Sequence, residues 1–329
     1  MIIGDALNKL NGKKCLVTGG TGMIGRQVVD ILKDAGAHVT SVSLDSIVLD
    51  NDVVYLKKDL TNFQNCKDIT KDMDFVFHVA GIKGSINVTK TMPASSFVPL
   101  IQMNTNVLEA CRMNGVKNVV YTSSIGAYAS TTGDVFRESD DTFASDAMDL
   151  HPGLAKRVGE MQIQAYKIQH NLDYAIVRPA NIFGPGDNFD IENAMFIPSL
   201  MAKIDRGDDP VVVWGDGTAI RDIAYSRDIA EGIILACIYG TDGFVNLGSG
   251  HEYTIKDVVE TMQKVRRFEY TFDDTKPKGF HKRVMDIEKA KKLIHYKPTT
   301  SLFDGLSKTW EWYLRNKDEN NKRKNYFNE

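Results

Sequence analysis

KCLVTGGTGMIGRQVVD, residues 14–30, decides the fold: an apolar strand, a tight glycine turn and the start of a helix. Gly19, Gly22 and Gly25 stand at G-x-x-G-x-x-G spacing, and each has its own physical reason. One bare backbone lets the turn close, one lets a pyrophosphate approach the main chain, and one lets the helix pack on the strand. The helix N-terminus, with Met23 and Ile24 in its first turn, then faces negative charge. Val28, Val29, Ile31, Leu32 and Ala35 continue at helical spacing until Gly36 closes the pattern. Such a unit at the head of a strand–helix alternation reads as a dinucleotide-binding turn.

Outward from it, the runs KCLVTG, HVTSVSL, VVYLKK, MDFVFHVAG, VKNVVYTSS and DYAIVRP alternate with helix-patterned stretches as far as Arg178. That alternation predicts a parallel sheet flanked by helices, two of them near 99–114 and 153–170. Several runs are apolar without alternation, as strands covered on both faces should be. The expected architecture is α/β: a Rossmann-type doubly wound parallel sheet over 1–180, with 220–247 returning to it, and a smaller C-terminal substrate lobe over 181–329. In that lobe, GPGDNFD and WGDGTAIRD loops separate amphipathic stretches around 195–206, 226–239, 254–265 and 286–294. The polar tail, 317–329, is expected to be disordered or to fray as a helix end.

The 329 residues are 43% hydrophobic and 25% charged, the balance of an ordinary globular protein. Lys+Arg 40 against Asp+Glu 43 gives −3, so no general field draws the chain to nucleic acid or an anionic membrane. Any anion must be met by a local site. Cys15, Cys66, Cys111 and Cys237 lie far apart without metal-ligand spacing, so no metal site is expected, and they read as buried thiols of a reducing compartment. With no leader-like segment and no bilayer-length apolar run, a cytoplasmic protein is expected.

About 20 residues beyond the last glycine, an acidic group should accept hydrogen bonds from the adenosine ribose of NAD. Asp45 is placed for this, although ungapped counting along the strand reaches Ser43 first. Arg26 stands close enough to the glycines to meet a 2′-phosphate, yet the acidic residue favours NAD over NADP. Asp59, in KKDLTN, reads either as an acceptor for the adenine amino group or as a turn or cap aspartate.

TGGTGMIG, DLTN, FHVAGIKGS, YTSSIGAY, LAKRVGE, IVRPANIFGPGDNF, VVVWGDGTAIRD and RVMDIEKA, in this order, resemble the extended short-chain dehydrogenase/reductase family acting on nucleotide sugars. Within it, GPGDNFDIENAMFIPSLMAKI followed by VVVWGDGTAIRD is most similar to GDP-fucose synthases and GDP-heptose C4-dehydrogenases. The resemblance implies that Leu60, Ala80 and Gly81 line the cofactor and that Lys83 touches its pyrophosphate; Lys83 reads equally as a solvated surface charge. It implies that Asn181 hydrogen-bonds the substrate, that the backbone at Pro179 and Ala180 meets the nicotinamide amide, and that Arg221 and Arg283 hold the diphosphate. A guanidinium fork suits phosphate oxygens on physical grounds alone. Trp214 is expected either against the substrate or in the core. A homodimer through the helices near 99–114 and 153–170 is also implied.

The same resemblance exposes a gap. The family works with a Ser or Thr, a Tyr and a Lys, the last two at Y-x-x-x-K so that the ammonium lowers the phenol pKa. Ser124 matches the serine and Lys156 the lysine, but Pro152 stands where the tyrosine belongs. Proline suits the first turn of a helix, and it carries no proton. His151 is adjacent and imidazole is the usual proton carrier near neutral pH, but nothing in the sequence aims its ring. The acidic pair of a 4,6-dehydratase is replaced by Ile125 and Gly126, and the cysteine and histidine of GDP-fucose synthases by Gly126 and Gly186. Hydride transfer at C4 of a GDP-linked sugar is therefore expected, with the proton leaving through water, His151 or Lys83. A 4-epimerase and a non-catalytic protein that binds NAD and nucleotide sugar are the alternatives.

Overall fold

Seven parallel strands make the main sheet of the computed structural model, which describes residues 2–82, 84–130, 133–141, 147–276 and 278–322. Their order is Phe244–Leu247, Ala175–Pro179, Asn118–Thr122, Phe75–His78, Lys14–Thr18, His38–Ser43 and Val54–Lys57. Strand order reverses between Lys14–Thr18 and Phe75–His78, which opens a crevice at their carboxyl ends. Phe75–His78 and Ala175–Pro179 are buried at every position, which is why their sequences show no alternation. The seventh strand, Phe244–Leu247, follows the helix Ser226–Tyr239, which packs on this sheet, and pairs with Ala175–Pro179.

Two helices position the site. The one expected near 99–114 runs from Pro93 to Met113, so Pro99 lies inside it rather than at its start. The other, Leu150–His170, carries Pro152 in its first turn. Its glycines let it lie flat on the sheet: a Cβ at Gly159 would come within 2.6 Å of the Tyr121 ring, and one at Gly153 within 2.1 Å of the Gly126 carbonyl oxygen.

A second core gathers Phe183, Leu200, Met201, Val213, Tyr225, Val259, Met262, Leu306 and Trp310. Here Ile220–Arg221 lies between Tyr253–Thr254 and Lys282–Met285, and Val211–Trp214 pairs with Tyr270–Asp273. The helix Leu302–Arg315, which the sequence reading passed over, closes this core; Ser301 caps it by accepting from the Asp304 amide at 3.1 Å. Lys317–Lys322 continue as a 3-10 helix, and 323–329 fall outside the described residues. Among the described residues no helix is long and apolar enough to cross a membrane.

Beneath the site lies a buried ionic cluster. Arg178 donates to Glu160 at 2.8 and 2.5 Å and to Asp141 at 2.8 Å, Arg157 reaches Asp141 at 3.0 Å, and the Ser123 hydroxyl donates to Glu160. The Arg178 guanidinium sits over the Phe244 and Tyr128 rings at 3.9 and 4.4 Å. Removing one partner strands the others without water, so Arg178→Met is expected to lower the unfolding free energy by about 3–5 kcal/mol. Urea denaturation checks this; a loss below about 1 kcal/mol would show that the cluster is not needed for the fold.

Candidate active site

The glycine turn is built as a cradle. Gly19 has φ +70, and a Cβ there would lie 2.9 Å from the Ala80 Cα. A Cβ at Gly25 would come 2.0 Å from the Gly19 carbonyl oxygen, so the helix Met23–Asp34 packs directly on the turn. Gly22 differs: its Cβ would meet only that same oxygen, at 3.2 Å. Gly22 is also the helix N-cap and supplies no side-chain cap, so the amides of the first turn, at Met23 and Ile24, are left to an anion.

Thr21 Oγ1 lies within hydrogen-bond distance of both Ser43 (2.9 Å) and Asp45 (2.8 Å), so the two residues between which sequence counting hesitated share the rim of the turn. Arg26 is engaged elsewhere. It donates to the Thr21 carbonyl at 2.7 Å, pairs with Glu319, and lies 4.8 Å over the Trp312 ring. A Cβ at Gly186 would come within 2.3 Å of its Nε, so glycine there makes room for Arg26. The guanidinium is thus enclosed by protein rather than presented to a 2′-phosphate. Asp59 is exposed and accepts from the Thr61 amide (2.9 Å) and hydroxyl (2.8 Å), the geometry of a turn aspartate, with Leu60 buried beside it. Lys83 lies outside the described residues.

A one-way hydrogen-bond chain crosses the sheet behind this cradle. The Ala80 amide donates to Thr18 Oγ1 (3.2 Å), which faces His78 Nδ1 (2.7 Å); His78 Nε2 faces Asn104 Oδ1 (3.0 Å). Asn104 then donates to the Tyr121 hydroxyl (3.0 Å), and Tyr121 donates to the Lys156 carbonyl (3.0 Å). The pattern requires a neutral imidazole protonated at Nε2. Burial, aided by the nearby Lys156 charge, pushes the His78 pKa down to about 3. At the far end the Lys156 ammonium donates to the Thr122 carbonyl at 2.8 Å and sits 3.7 Å from where a Gly81 Cβ would be. Burial lowers its pKa to about 8, against the pull of Glu160.

Ser124 starts the turn Ile125–Ala127 and accepts from the Gly126 amide at 3.1 Å. His151 packs edge-on against Phe97 with ring centres 5.5 Å apart. The group that sequence reasoning missed is Asp149. Its carboxylate fills the space beside Gly126, with Oδ2 2.3 Å from where a Cβ would be, and it receives Arg283 at 3.2 Å. No periodicity or motif signals a helix-entry aspartate aimed this way.

Arg221 and Arg283 are direct cross-strand partners. Arg221 donates to the Ile220 carbonyl at 2.7 Å, and burial together with the Arg283 charge pushes its pKa down to about 10. Arg283 Nε and Nη2 are buried without a hydrogen-bond partner among the described residues. Two adjacent guanidinium groups, one with N–H bonds left open, have the chemistry to hold a polyanion. Asn181 donates to the Asp222 carbonyl at 3.1 Å and so stands next to this pair. Trp214 is 57% exposed, which removes the core-packing reading, and the following loop reaches the arginines through the Asp216–Lys278 ion pair (2.7 Å) and the Lys278 carbonyl, 3.4 Å from Arg221. Among the described residues no group of three His, Cys, Asp or Glu side chains is placed to hold a metal.

A parallel sheet with a glycine turn at its switch point, joined to a second lobe that carries two adjacent arginines, is the architecture of a dinucleotide-dependent enzyme. The chain belongs to the NAD dependent epimerase/dehydratase family, whose model matches residues 15–248. It is 32% identical over 334 residues to GDP-L-fucose synthase 1 of Arabidopsis thaliana, covering 95% of this chain and 98% of that protein. Its structure is similar to a UDP-N-acetylglucosamine 4-epimerase from Methanobrevibacter ruminantium M1, at TM-score 0.81 and 27% identity over 93% of this chain and 99% of that one. A UDP-glucose 4-epimerase from Thermotoga maritima gives TM-score 0.80 and 26% identity, over 92% and 99%. The protein is an NAD-dependent enzyme of nucleotide-sugar modification.

Because Gly22 has room inside the fold but none beside a pyrophosphate, Gly22→Val should stay folded and lose NAD binding in calorimetry. Undiminished binding would remove the cradle assignment. His78 generates a stability prediction. Its imidazole titrates near 6.5 when free and near 3 when folded, so between those values the unfolded chain binds the extra proton. Stability contributed by the neutral ring is full above pH about 6.5 and is lost as pH falls toward 3. Denaturation at stepped pH should show this slope in the wild type and a shallower one in His78→Asn.

Proposed function

We propose that the protein transfers a hydride reversibly between C4 of a GDP-linked sugar and NAD. One observation carries the reading: Arg283 of the polyanion site touches Asp149, whose carboxylate lies against Gly126 in the turn begun by Ser124. The diphosphate end and the reacting end of a substrate therefore share one wall. NAD supplies the hydride acceptor or donor when bound in the cradle.

Each residue then has a task. Gly19, Gly22 and Gly25 and the amides of Met23 and Ile24 hold the pyrophosphate, Asp45 the adenosine ribose, and Asp59 with Leu60 the adenine edge. Ala80 and Gly81 cover the nicotinamide side, where the Lys156 ammonium grips the ribose. Ser124 orients the C4 oxygen. Arg221 and Arg283 clamp the diphosphate, with Asn181 and Trp214 flanking it. The guanine base is favoured by the similarity to GDP-L-fucose synthase. Alignment of the reacting carbons is worth about 7–11 kcal/mol, more than a missing phenol costs at about 10²–10⁴-fold. The 4-epimerase alternative uses the same hydride site, and the two solved 4-epimerases support it.

We further propose a homodimer in the cytoplasm. Val98 and Met113 on one helix and Met161 and Ile168 on its neighbour leave apolar surface open, Ile168 at 88% exposure, and the four cysteines are free and buried.

A C4-deuterated GDP-sugar incubated with the enzyme should yield deuterated NADH by mass spectrometry; its absence across GDP- and UDP-hexoses would refute the reading. Arg221→Ala should weaken nucleotide-sugar binding by about 2–5 kcal/mol with NAD binding unchanged. Equal loss of both ligands in calorimetry would remove the clamp assignment.

A further inference from the structure

Pro152 leaves the site without a phenol, and the other groups nearby are committed elsewhere. The Tyr121 hydroxyl donates to the Lys156 carbonyl, and the buried Tyr128 hydroxyl donates to Asn246 at 2.8 Å. The His151 ring lies against Phe97, and the Lys156 ammonium is a donor to Thr122. Asp149 is placed differently. Its Oδ2, Cγ and Cβ lie 2.3, 2.7 and 2.8 Å from where a Gly126 Cβ would be, so the whole carboxymethyl group occupies the place of a side chain on the Ser124 turn. Arg283 holds Oδ1 at 3.2 Å, and Oδ2 has no hydrogen-bond partner among the described residues. The side chain is 43% exposed, so water reaches it.

We infer that the Asp149 carboxylate, oriented by Arg283 in the space left by Gly126, takes the proton of the sugar hydroxyl in place of the absent phenol. The inference rests on the C4 hydride transfer proposed above. In the oxidative direction the C4–H bond breaks and its electron pair leaves as hydride for the nicotinamide, reducing NAD⁺. The O–H bond breaks at the same carbon's oxygen, the proton goes to Asp149 Oδ2 and then to water, and the C4–O bond becomes a carbonyl. Reduction runs the same path backwards. A carboxylate is a competent general base at hydrogen-bond distance, and such a base contributes about 10²–10⁴-fold.

The glycine at 126 and the acid at 149 are thereby one device. Asp149 makes no side-chain cap bond to its helix, so Asp149→Asn keeps the local fold. With C4-deuterated GDP-mannose and GDP-fucose as probes, kcat for deuteride transfer should fall about 10²–10⁴-fold in Asp149→Asn and Asp149→Ala. Calorimetric dissociation constants for NAD and both GDP-sugars should stay within about threefold. Formate should restore turnover in Asp149→Ala, where a space is opened, and not in Asp149→Asn. Gly126→Ala should displace the carboxylate and lower kcat, and adding Asp149→Asn to it should change little further.

A wild-type kcat in Asp149→Asn overturns the assignment, as does weaker sugar binding with unchanged kcat, which would make Asp149 only a support for Arg283. Solvent deuterium entering ring carbons in an Asp149-dependent way also overturns it, in favour of proton exchange at carbon. If the wild type itself transfers no deuteride, the C4 reading fails and takes this assignment with it.

Discussion

The ion pair between Glu160 and Arg178 fixes the geometry on which the rest of the site depends. Glu160 lies one helical turn beyond Lys156, Arg178 lies just before Ala180 and Asn181, and Ser123, which also reaches Glu160, precedes Ser124. One buried contact therefore sets the height of the lysine, the backbone of the serine and the entry to the second lobe. The cluster pairs charges removed from water with one another, Asp141 bridging Arg178 and Arg157, while Arg178 Nη1 stays buried without a hydrogen-bond partner among the described residues. The Tyr128 and Phe244 rings exclude water from the guanidinium face.

Lys156 is bracketed from both ends. Its carbonyl is held by Tyr121 at the end of the neutral chain that begins at the Ala80 amide, and its ammonium is held by the Thr122 carbonyl. The two networks differ in kind. The ionic cluster ties helix to sheet below the site, while the neutral chain passes through His78 and ties the cofactor cradle to the same lysine. A lysine determined twice over is held in place with little motion left to freeze.

Much of this was legible in the residues. Glycines at 19, 22 and 25 suggested a cradle because a bare backbone there serves turn closure, pyrophosphate approach and helix packing in turn, and six of the seven strands announced themselves as β-branched runs. Arg221 and Arg283 stood out through the family resemblance, and a fork of N–H donors suits the phosphate role that it implies. Other features were hidden because they depend on direction rather than type. Whether Trp214 is buried is decided by which face of a two-stranded ribbon it takes, and Asp59 by the turn in which its Oδ1 accepts twice from Thr61. Asp149 was invisible because the residue after it, Leu150, adopts φ +40, and Gly153 brings the helix mouth onto Gly126. The helix Leu302–Arg315 was passed over because its apolar face is needed only to close a core assembled from earlier segments.

The pairing of Arg26 with Glu319 has a consequence for how the chain is made. The two partners are separated by 293 positions, and Trp312 covers the same guanidinium. During synthesis the nucleotide cradle emerges early, yet the flank of its first helical turn stays open until the segment that carries Trp312 and Glu319 has left the ribosome. Maturation of the cradle is then a report on completion of the second lobe.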